Sequence, residues 1–450
     1  MISLKRKDKL KTIKYYVQRE KKRKRIILFF INVLLASIIV VISFAIIRKY
    51  NLQRELQQSM DKERQVIEEQ QATLKKIKES YNEYVETVRE ATIYKFVDDN
   101  YEIAGTLSSG TKISLKEKEI ISYKDIYFEL ENINYYVKYT DVKIVDSVEV
   151  EDHYRNYIPF NENVVSNNPA ILKSDNGEQY TIKEELSLPI IIKDNKRYYV
   201  EYDNKLLYLE SDKIVRIDKS ENSNVKTASK IAVIAYHYTY SSDAGDKCLS
   251  PTICHEINQI SKQFNYLNEN KFYTTTLRDL ELFLERKIQL PEKSVTITVD
   301  DGWWFDRMYL LANEYKVNVT LFFIGILQNN ANILSYSTSS KYVQFASHTY
   351  NLHNTGICPG GQGSPLKCSS KETIMSDLKK SREQLKNTTY FAWPFYEYND
   401  YAIELVKEAG FTMAFTGGMY KSYPGVNMYT VPRYTIHNNT KLEEFSEYVN

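Results

Sequence analysis

The sequence predicts a multidomain protein in which a membrane helix and a small β region precede a C-terminal α/β domain. Three observations predict this order. A charge-free apolar run spans residues 26–47, short β runs fill residues 92–218, and strands alternate with helices from residue 230 to 450. The 450 residues suffice for several domains of roughly 100 to 200 residues, and a hydrophobic content of 43% excludes a largely disordered chain.

The net charge of +2 hides an uneven distribution. Residues 1–25 contain twelve Lys or Arg against Asp8 and Glu20, a net charge of +10, which leaves −8 on residues 26–450. Such a block is typical of nucleic-acid-binding tails and of the cytoplasmic flank of a membrane helix. The apolar run that follows favours the second interpretation, and we expect no nucleic-acid partner.

Residues 26–47 are predicted to cross a membrane. As a helix they span about 33 Å, which exceeds a hydrocarbon core of about 30 Å. The run is long for a signal peptide, and no small-residue cleavage site follows it. The basic flank predicts a single-pass protein of the cell membrane with residues 1–25 in the cytoplasm and the rest outside.

Residues 48–91 are predicted to form a helical stalk, because residues 51–91 contain neither Pro nor Gly. Positions at alternating steps of three and four are apolar except for Glu63 and Gln70, and the apolar ones are Met60, Ile67, Leu74, Ile77, Tyr81, Tyr84 and Val88. This spacing is typical of a coiled coil, which would make the protein a homodimer. A single solvated helix is the alternative.

Residues 92–218 contain two similar hairpin patterns of alternating aromatic and polar residues. The first covers 126–131, 135–139 and 143–145, and the second covers 198–202, 206–209 and 213–215. The pattern resembles bacterial SH3-like domains, and the resemblance implies modules that bind cell-wall material or act as spacers. A polar linker, residues 219–229, follows.

Residues 230–450 alternate strands and helices, which predicts a parallel sheet, open or closed into a barrel. Ser369 is predicted to begin one helix as a capping box, and Asn399 to cap another that Gly410 ends. The predicted strands are residues 231–236, 294–299, 319–325, 343–347, 390–394, 412–416 and 430–436.

Chemically active residues follow three of these strands. Asp300 and Asp301 come after the second, His348 and His353 come after the fourth, and residues 392–396 lie at the end of the fifth. Residues five apart diverge on a helix or a strand, so the two histidines converge only if a loop returns His353. One carboxylate and two imidazoles would suit Zn²⁺, and some Co²⁺, Ni²⁺ or Fe²⁺ sites.

These motifs resemble a polysaccharide deacetylase domain of carbohydrate esterase family 4, the NodB-homology fold, which is a distorted (β/α) barrel. Residues 298–302 resemble its first motif, which implies that Asp300 is the general base and Asp301 a metal ligand. His348 and His353 resemble the second motif, with the five-residue step of the poly-N-acetylglucosamine deacetylase branch. Residues 392–396 resemble the third, but Ala392 stands where many members have an Arg that tunes the base.

The resemblance also implies a mechanism. A metal held by Asp301 and the two histidines would lower the pKa of a water, Asp300 would remove its proton, and a backbone N–H near Phe395 or Tyr396 would stabilise the oxyanion. His237, within a stretch that resembles the opening strand of that branch, is the expected acid. His437 is the alternative, and either could be an ordinary core histidine.

Other residues leave alternatives open. Pro394, Trp393, Trp303 and Trp304 would line the substrate site, with the tryptophans stacking on sugars or packing in the core. His153 and His255 are interpreted as ordinary surface or loop residues. Four cysteines outside a cell allow two disulfides, of which 248–254 with 358–368 is the simplest pairing of three, or free thiols. A four-cysteine zinc site is disfavoured because C-x-x-C is lacking.

Two hypotheses about function follow. The first is a metal-dependent hydrolase that removes N-acetyl groups from an N-acetylglucosamine-containing polysaccharide, either peptidoglycan or a surface poly-N-acetylglucosamine, at the outer face of the membrane. The second is a catalytically weakened protein that binds cell wall or acts as a scaffold through its SH3-like repeats.

Overall fold

The computed structural model describes residues 2–80, 83–122, 126–147, 153–248, 250–302, 305–327 and 339–450. The chain divides into two compact units, one of residues 1–82 with 118–127 and the other of residues 83–117 with 128–450. The second unit holds the C-terminal α/β domain and most of the β region.

One helix, α1 (Ile2–Ser80), accounts for the described part of residues 1–82. No Gly or Pro interrupts it, and its apolar stretch is long enough to cross a membrane. Side chains there are exposed, including Val41 and Phe44. The structure therefore contains one continuous helix where the sequence predicts a membrane span and a stalk.

The predicted end of the stalk at residue 91 is wrong. Tyr84–Thr87 forms strand β1, which pairs antiparallel with two other strands and buries Val85 and Thr87. The alternation of Tyr, Val, Glu and Thr suits a half-buried strand. Tyr84 and Val88 consequently lie outside α1, and the position of Tyr81 lies outside the described residues.

The β region consists of short strands arranged in a twelve-stranded and a three-stranded sheet, in the orders β12-β13-β14-β9-β10-β3-β2-β6-β5-β4-β1-β7 and β11-β8-β15. After β1, the strands are β2 (Ala91–Val97), β3 (Asn100–Leu107), β4 (Lys112–Ser122), β5 (Ile126–Leu130), β6 (Tyr136–Lys138), β7 (Val142–Val145), β8 (Glu162–Ser166), β9 (Ala170–Lys173), β10 (Gln179–Ile182), β11 (Ser187–Pro189), β12 (Ile192–Lys193), β13 (Arg197–Tyr202), β14 (Lys205–Glu210) and β15 (Ile214–Lys219).

The two predicted hairpin repeats have the same order of elements in the structure. Strands β5 and β6 are followed by a 3₁₀ turn, Tyr139–Asp141, and then by β7. Strands β13 and β14 are followed by a 3₁₀ turn, Ser211–Lys213, and then by β15. The SH3-like assignment of these halves remains a prediction.

The C-terminal domain is built on a mostly parallel sheet in the order β24-β23-β22-β21-β20-β16-β25, with β19 beside β20 and a separate pair β17-β18. These strands are β16 (Ala232–Tyr236), β17 (Tyr238–Tyr240), β18 (Cys254–Glu256), β19 (Tyr273–Thr275), β20 (Ser294–Val299), β21 (Val319–Phe323), β22 (Val343–Ser347), β23 (Tyr390–Ala392), β24 (Met413–Phe415) and β25 (Tyr434–Thr435). The helices are α2 (Ile257–Glu269), α3 (Leu277–Leu284), α4 (Phe305–Tyr315), α5 (Lys371–Gln384), α6 (Asp400–Glu408) and α7 (Leu442–Val449).

The last strand closes this sheet into a distorted barrel. Phe415, the last residue of β24, forms a parallel bridge with Val431, and three residues later Tyr434 pairs with Ile234 of β16. The stretch between Val431 and Thr435 therefore joins the two edges. A closed sheet leaves fewer backbone groups unpaired than an open one.

The barrel strands are apolar on both faces, as expected for a parallel sheet covered on both sides. Ile234 and Ile297 pack in the core that includes residues of α2, α4 and α7. Val233, Phe322 and Phe415 belong to a second core that also includes α3. Residues 294–299 alternate Ser or Thr with Val or Ile, and all six are buried, so the small polar residues of this strand also face a covered side.

Most predicted elements of the barrel are confirmed, two strands with the predicted boundaries and five with shorter ones. All seven predicted strands are present, whereas β17, β18 and β19, of three residues each, were not predicted. Ser370, not Ser369, caps α5 by accepting from Thr373 N. Asn399 caps α6, and Gly410 follows that helix with φ +87°.

Both near-sequence disulfides are present, Cys248 with Cys254 and Cys358 with Cys368. Their Cα atoms are 5.6 and 5.8 Å apart, within the usual range for a disulfide. The simplest predicted pairing is therefore confirmed, and all four cysteines are paired.

A buried carboxylate joins the β region to the barrel. Asp279 of α3 has no exposed surface and accepts hydrogen bonds from His153 Nε2 at 2.7 Å, Tyr157 Oη at 2.6 Å and Tyr273 Oη at 2.8 Å. The Thr276 N–H also donates to it. His153, interpreted from sequence as an ordinary residue, is thus part of the junction between the two regions.

We expect Asp279→Asn to lower the free energy of unfolding by about 2 to 4 kcal/mol, because buried donors lose acceptors. Burial by itself raises the pKa of Asp279, but hydrogen bonds from His153 and Tyr157 bring it below its usual value. The stabilisation is therefore present above the unfolded pKa of about 3.9 and is lost as the pH falls through the lower folded pKa.

Urea unfolding of the full-length chain in detergent, between neutral and acid pH, measures both effects. The Asn variant should lose less stability in acid than the parent. Asp212→Asn, at an exposed carboxylate, is the matched control and should change the stability by less than about 0.5 kcal/mol. Equal effects of the two substitutions would contradict the role of Asp279.

Candidate metal and catalytic site

Two adjacent buried carboxylates follow β20 and point to different partners. Asp300 and Asp301 are 1% and 4% exposed. Asp301 has φ +74°, a left-handed conformation, and Gly302 follows with φ +84°. Because the backbone turns sharply there, the two side chains face separate groups, which avoids placing two like charges together in the interior.

Asp301 faces the two predicted histidines. Its Oδ1 lies 3.3 Å from His348 Nε2 and 3.2 Å from His353 Nε2. The three ligand atoms all lie within 4.8 Å of one another. The structure thus brings together the three residues that the sequence predicts as metal ligands.

A loop returns His353 to the site, as the five-residue spacing requires. Strand β22 ends at Ser347, just before His348, and Thr349 then has φ +72°. The carboxylate of Asp377, on α5, accepts the N–H groups of Tyr350 at 2.8 Å and Asn351 at 2.7 Å. Asp377 therefore fixes the loop that carries His353, a role that the sequence pattern did not indicate.

The imidazoles are oriented for binding a cation. His348 Nδ1 lies 2.8 Å from the carbonyl oxygen of Ala392, so that its N–H donates there and Nε2 is free to act as a ligand. The ring of His353 lies 4.4 Å from the ring of Phe395. One carboxylate oxygen and two imidazole nitrogens on one side fit a divalent cation such as Zn²⁺ and leave coordination positions open.

Asp300 is held by a residue that the sequence analysis missed. Arg433 has no exposed surface, and its Nη1 and Nη2 donate to the two carboxylate oxygens of Asp300 at 2.8 and 2.7 Å. Nη1 also donates to Thr298 Oγ1 at 3.2 Å. Burial alone raises the pKa of Asp300, but the Arg433 guanidinium brings it below its usual value.

Ala392 put an Arg contact to Asp300 in doubt, and Arg433 supplies such a contact. The guanidinium comes from the segment that closes the barrel instead of from β23. An Arg inside the predicted last strand, residues 430–436, could have indicated this, because a buried guanidinium requires a carboxylate partner.

Of the two candidate acids, only His237 contacts a described residue of the site. It follows β16, is 9% exposed, and its Nε2 lies 3.5 Å from the Tyr396 hydroxyl. His437 is exposed, and its Nδ1 lies 3.4 Å from the carbonyl oxygen of Thr252. His255, expected on the surface or in a loop, has no exposed surface.

The turn after β23 lies beside these groups. Pro394 begins it, Phe395 contacts His353, and the Tyr396 hydroxyl is 2.9 Å from Thr435 Oγ1. Trp393 is fully buried and its indole N–H donates to the carbonyl oxygen of Tyr429, so it packs in the core and does not stack on a sugar. Trp303 and Trp304 lie outside the described residues.

We expect Arg433→Met to lower the free energy of unfolding by about 3 to 5 kcal/mol, because it leaves Asp300 buried and unpaired. The double variant Arg433→Met with Asp300→Asn should recover much of this loss, because the remaining buried group is neutral. Thermal or urea unfolding of the two single variants and the double variant measures the coupling. Additive losses would contradict a direct interaction.

Comparison with known proteins agrees with this geometry. The family model Polysaccharide deacetylase matches residues 287–414, which contain Asp300, Asp301, His348 and His353. A poly-beta-1,6-N-acetyl-D-glucosamine N-deacetylase of Staphylococcus aureus is 27% identical over 199 residues, covering 40% of this chain and 67% of that protein.

Solved structures include IcaB from Ammonifex degensii, with 18% identity and a TM-score of 0.43 over 49% of this chain and 97% of that one. Deacetylase PplD from Streptococcus pyogenes has 18% identity and a TM-score of 0.41 over 50% of this chain and 100% of that one. From the family model and the sequence relatives, the C-terminal part of the chain carries a polysaccharide deacetylase domain that is similar to poly-beta-1,6-N-acetyl-D-glucosamine N-deacetylases.

Proposed function

We propose that this protein is a metal-dependent hydrolase that removes N-acetyl groups from an N-acetylglucosamine-containing polysaccharide, either peptidoglycan or a surface poly-N-acetylglucosamine. The convergence of Asp301, His348 and His353 beside a separately held Asp300 is the observation that carries this proposal. The match to the deacetylase family model and the similarity to a Staphylococcus aureus N-deacetylase support it.

Different residues of this chain have separate roles in the proposed reaction. Asp301, His348 and His353 would hold a divalent cation, which would supply Lewis-acid chemistry at the site. Asp300 accepts the proton of the attacking water. Arg433 keeps that carboxylate ionised, and each carboxylate oxygen retains a lone pair beyond the one that it shares with the guanidinium.

The turn after β23 supplies the oxyanion donor. The N–H of Tyr396 already donates to the carbonyl oxygen of Trp393 at 3.0 Å, so we assign the N–H of Phe395 to this role. His237 then protonates the departing amine, because it lies at the same end of the barrel and contacts Tyr396. The exposed His437 contacts Thr252 instead.

The N-terminal regions would place this site at the membrane. Residues 26–47 anchor the chain with residues 1–25 in the cytoplasm, and the remainder of α1 acts as a stalk that dimerises along Met60, Ile67 and Leu74. The SH3-like halves act as spacers. The hypothesis of a weakened catalyst rested on Ala392, and the pairing of Arg433 with Asp300 removes that argument.

We expect the purified chain to release acetate from N-acetylglucosamine oligomers or peptidoglycan, to lose this activity with a chelator and to regain it with Zn²⁺. Asp300→Asn should lower kcat/KM by at least about 10²-fold, because it removes the general base. Asp212→Asn is the matched control and should leave the rate unchanged. A parent protein that binds glycan without releasing acetate would instead support the scaffold hypothesis.

We expect the full-length chain to stay in the membrane pellet after alkaline carbonate extraction and to be released by detergent. Replacing Leu35 and Ile39 with Arg should weaken insertion, since each central Arg costs about 2.5 to 3.5 kcal/mol on translocon scales. Recovery of the unsubstituted chain in the soluble fraction without detergent would contradict anchoring through residues 26–47.

A further inference from the structure

The turn that contacts His353 has an unfavourable backbone conformation. Phe395 has φ +57° and ψ +15°, and Tyr396 has φ +62°. Left-handed conformations of non-glycine residues cost on the order of 1 to 3 kcal/mol each and persist only where the surroundings hold them. Two consecutive aromatic residues in this region therefore require strong tethers.

Some of these tethers come from the barrel. Thr416 Oγ1 donates to the carbonyl oxygen of Tyr396 at 3.0 Å, and the Tyr396 hydroxyl is hydrogen-bonded to Thr435 Oγ1. The ring of Phe395 lies against His353. These contacts fix the two residues themselves but not the chain that leaves the turn at Glu397.

Glu397 holds the chain where it leaves the turn after Tyr396. Its carboxylate accepts the N–H of Gln362 and the N–H of Ser364, the latter at 3.0 Å, and forms an ion pair with Lys367 Nζ at 2.8 Å. The Glu397 side chain is only 15% exposed. Burial raises the pKa of Glu397, but Lys367 and the two N–H groups lower it below its usual value.

All three partners of Glu397 belong to one loop, residues 356–368, which we call the clamp loop. The disulfide between Cys358 and Cys368 closes it, and Gly356 N donates to the carbonyl oxygen of Gln362 at 2.8 Å. A Cβ on Gly361, which has φ +61°, would lie 1.8 Å from Glu397 Oε1. Glycine at this position therefore permits the close approach of the carboxylate.

We propose that the clamp loop is a positioning element of the catalytic turn and that Glu397 is the positioning residue through which it acts. The clamp loop begins three residues after His353. Glu397, which the loop holds, directly follows Tyr396. The clamp loop therefore braces the turn that presents the Phe395 N–H and the Phe395 ring to the site. This inference rests on the proposed function of that turn.

The test compares Glu397→Gln with Glu408→Gln in the full-length protein. Glu408 forms an exposed ion pair with Lys371 at 2.7 Å and should contribute little. Glu397→Gln should lower kcat for acetate release by about tenfold, because small displacements of an oxyanion donor are costly, with KM and Zn²⁺ affinity changed less than about twofold. Glu408→Gln should match the parent in all three quantities.

Hydrogen exchange gives a readout that does not require activity. Glu397→Gln should speed amide exchange in peptides that cover residues 361–364 and 393–399, and leave peptides from β20 and β21 unchanged. Lys367→Met, which keeps both N–H contacts, should give a smaller effect in the same direction. Unchanged kcat together with unchanged exchange in Glu397→Gln would overturn the proposal.

The disulfide variant Cys358→Ser with Cys368→Ser should show the same pattern as Glu397→Gln. If it does not fold, Glu397→Gln and Lys367→Met still decide the question. A parent protein without deacetylase activity would refute the proposed function, whereas the exchange measurements would separately show whether Glu397 restrains the turn. Faster exchange without loss of kcat in an active protein would refute only the positioning role.

Discussion

The site depends on one constraint, which is that two adjacent buried carboxylates need separate partners. The left-handed turn at Asp301 meets this constraint by directing Asp300 towards a guanidinium and Asp301 towards two imidazoles. If the two carboxylates faced each other instead, their like charges would raise the pKa of one of them. The proposed division into a base and a metal ligand therefore depends on backbone geometry and on the two sets of partners.

The partner of Asp300 also connects the site to barrel closure. Val431 bridges to β24, Tyr434 pairs with β16, and Arg433 lies between them. The segment that joins the two edges of the sheet thus carries the guanidinium into the interior. Loosening of this closure would move Arg433 away from Asp300, so that barrel stability and the charge state of Asp300 depend on the same few residues.

The sequence predicted the parts of the site that follow strand ends, because apolar periodicity locates strands and parallel strands end together. Asp300, Asp301, His348 and His353 were found in this way. Arg433, Asp377 and Glu397 were not, since their roles arise from contacts between residues far apart in the chain. The end of α1 was misplaced for a similar reason: residues 84–91 have no helix breaker, and only pairing with β4 and β7 identifies Tyr84–Thr87 as a strand.

The junction with the β region lies at the opposite end of the barrel from the site. Ile158 bridges to Gln289, and Lys193 N donates to the carbonyl oxygen of Lys287, both just before β20 begins. Asp300 follows the end of this six-residue strand, which places it roughly 20 Å away. The β region therefore docks at the end of the barrel that lies away from Asp300 and the two histidines.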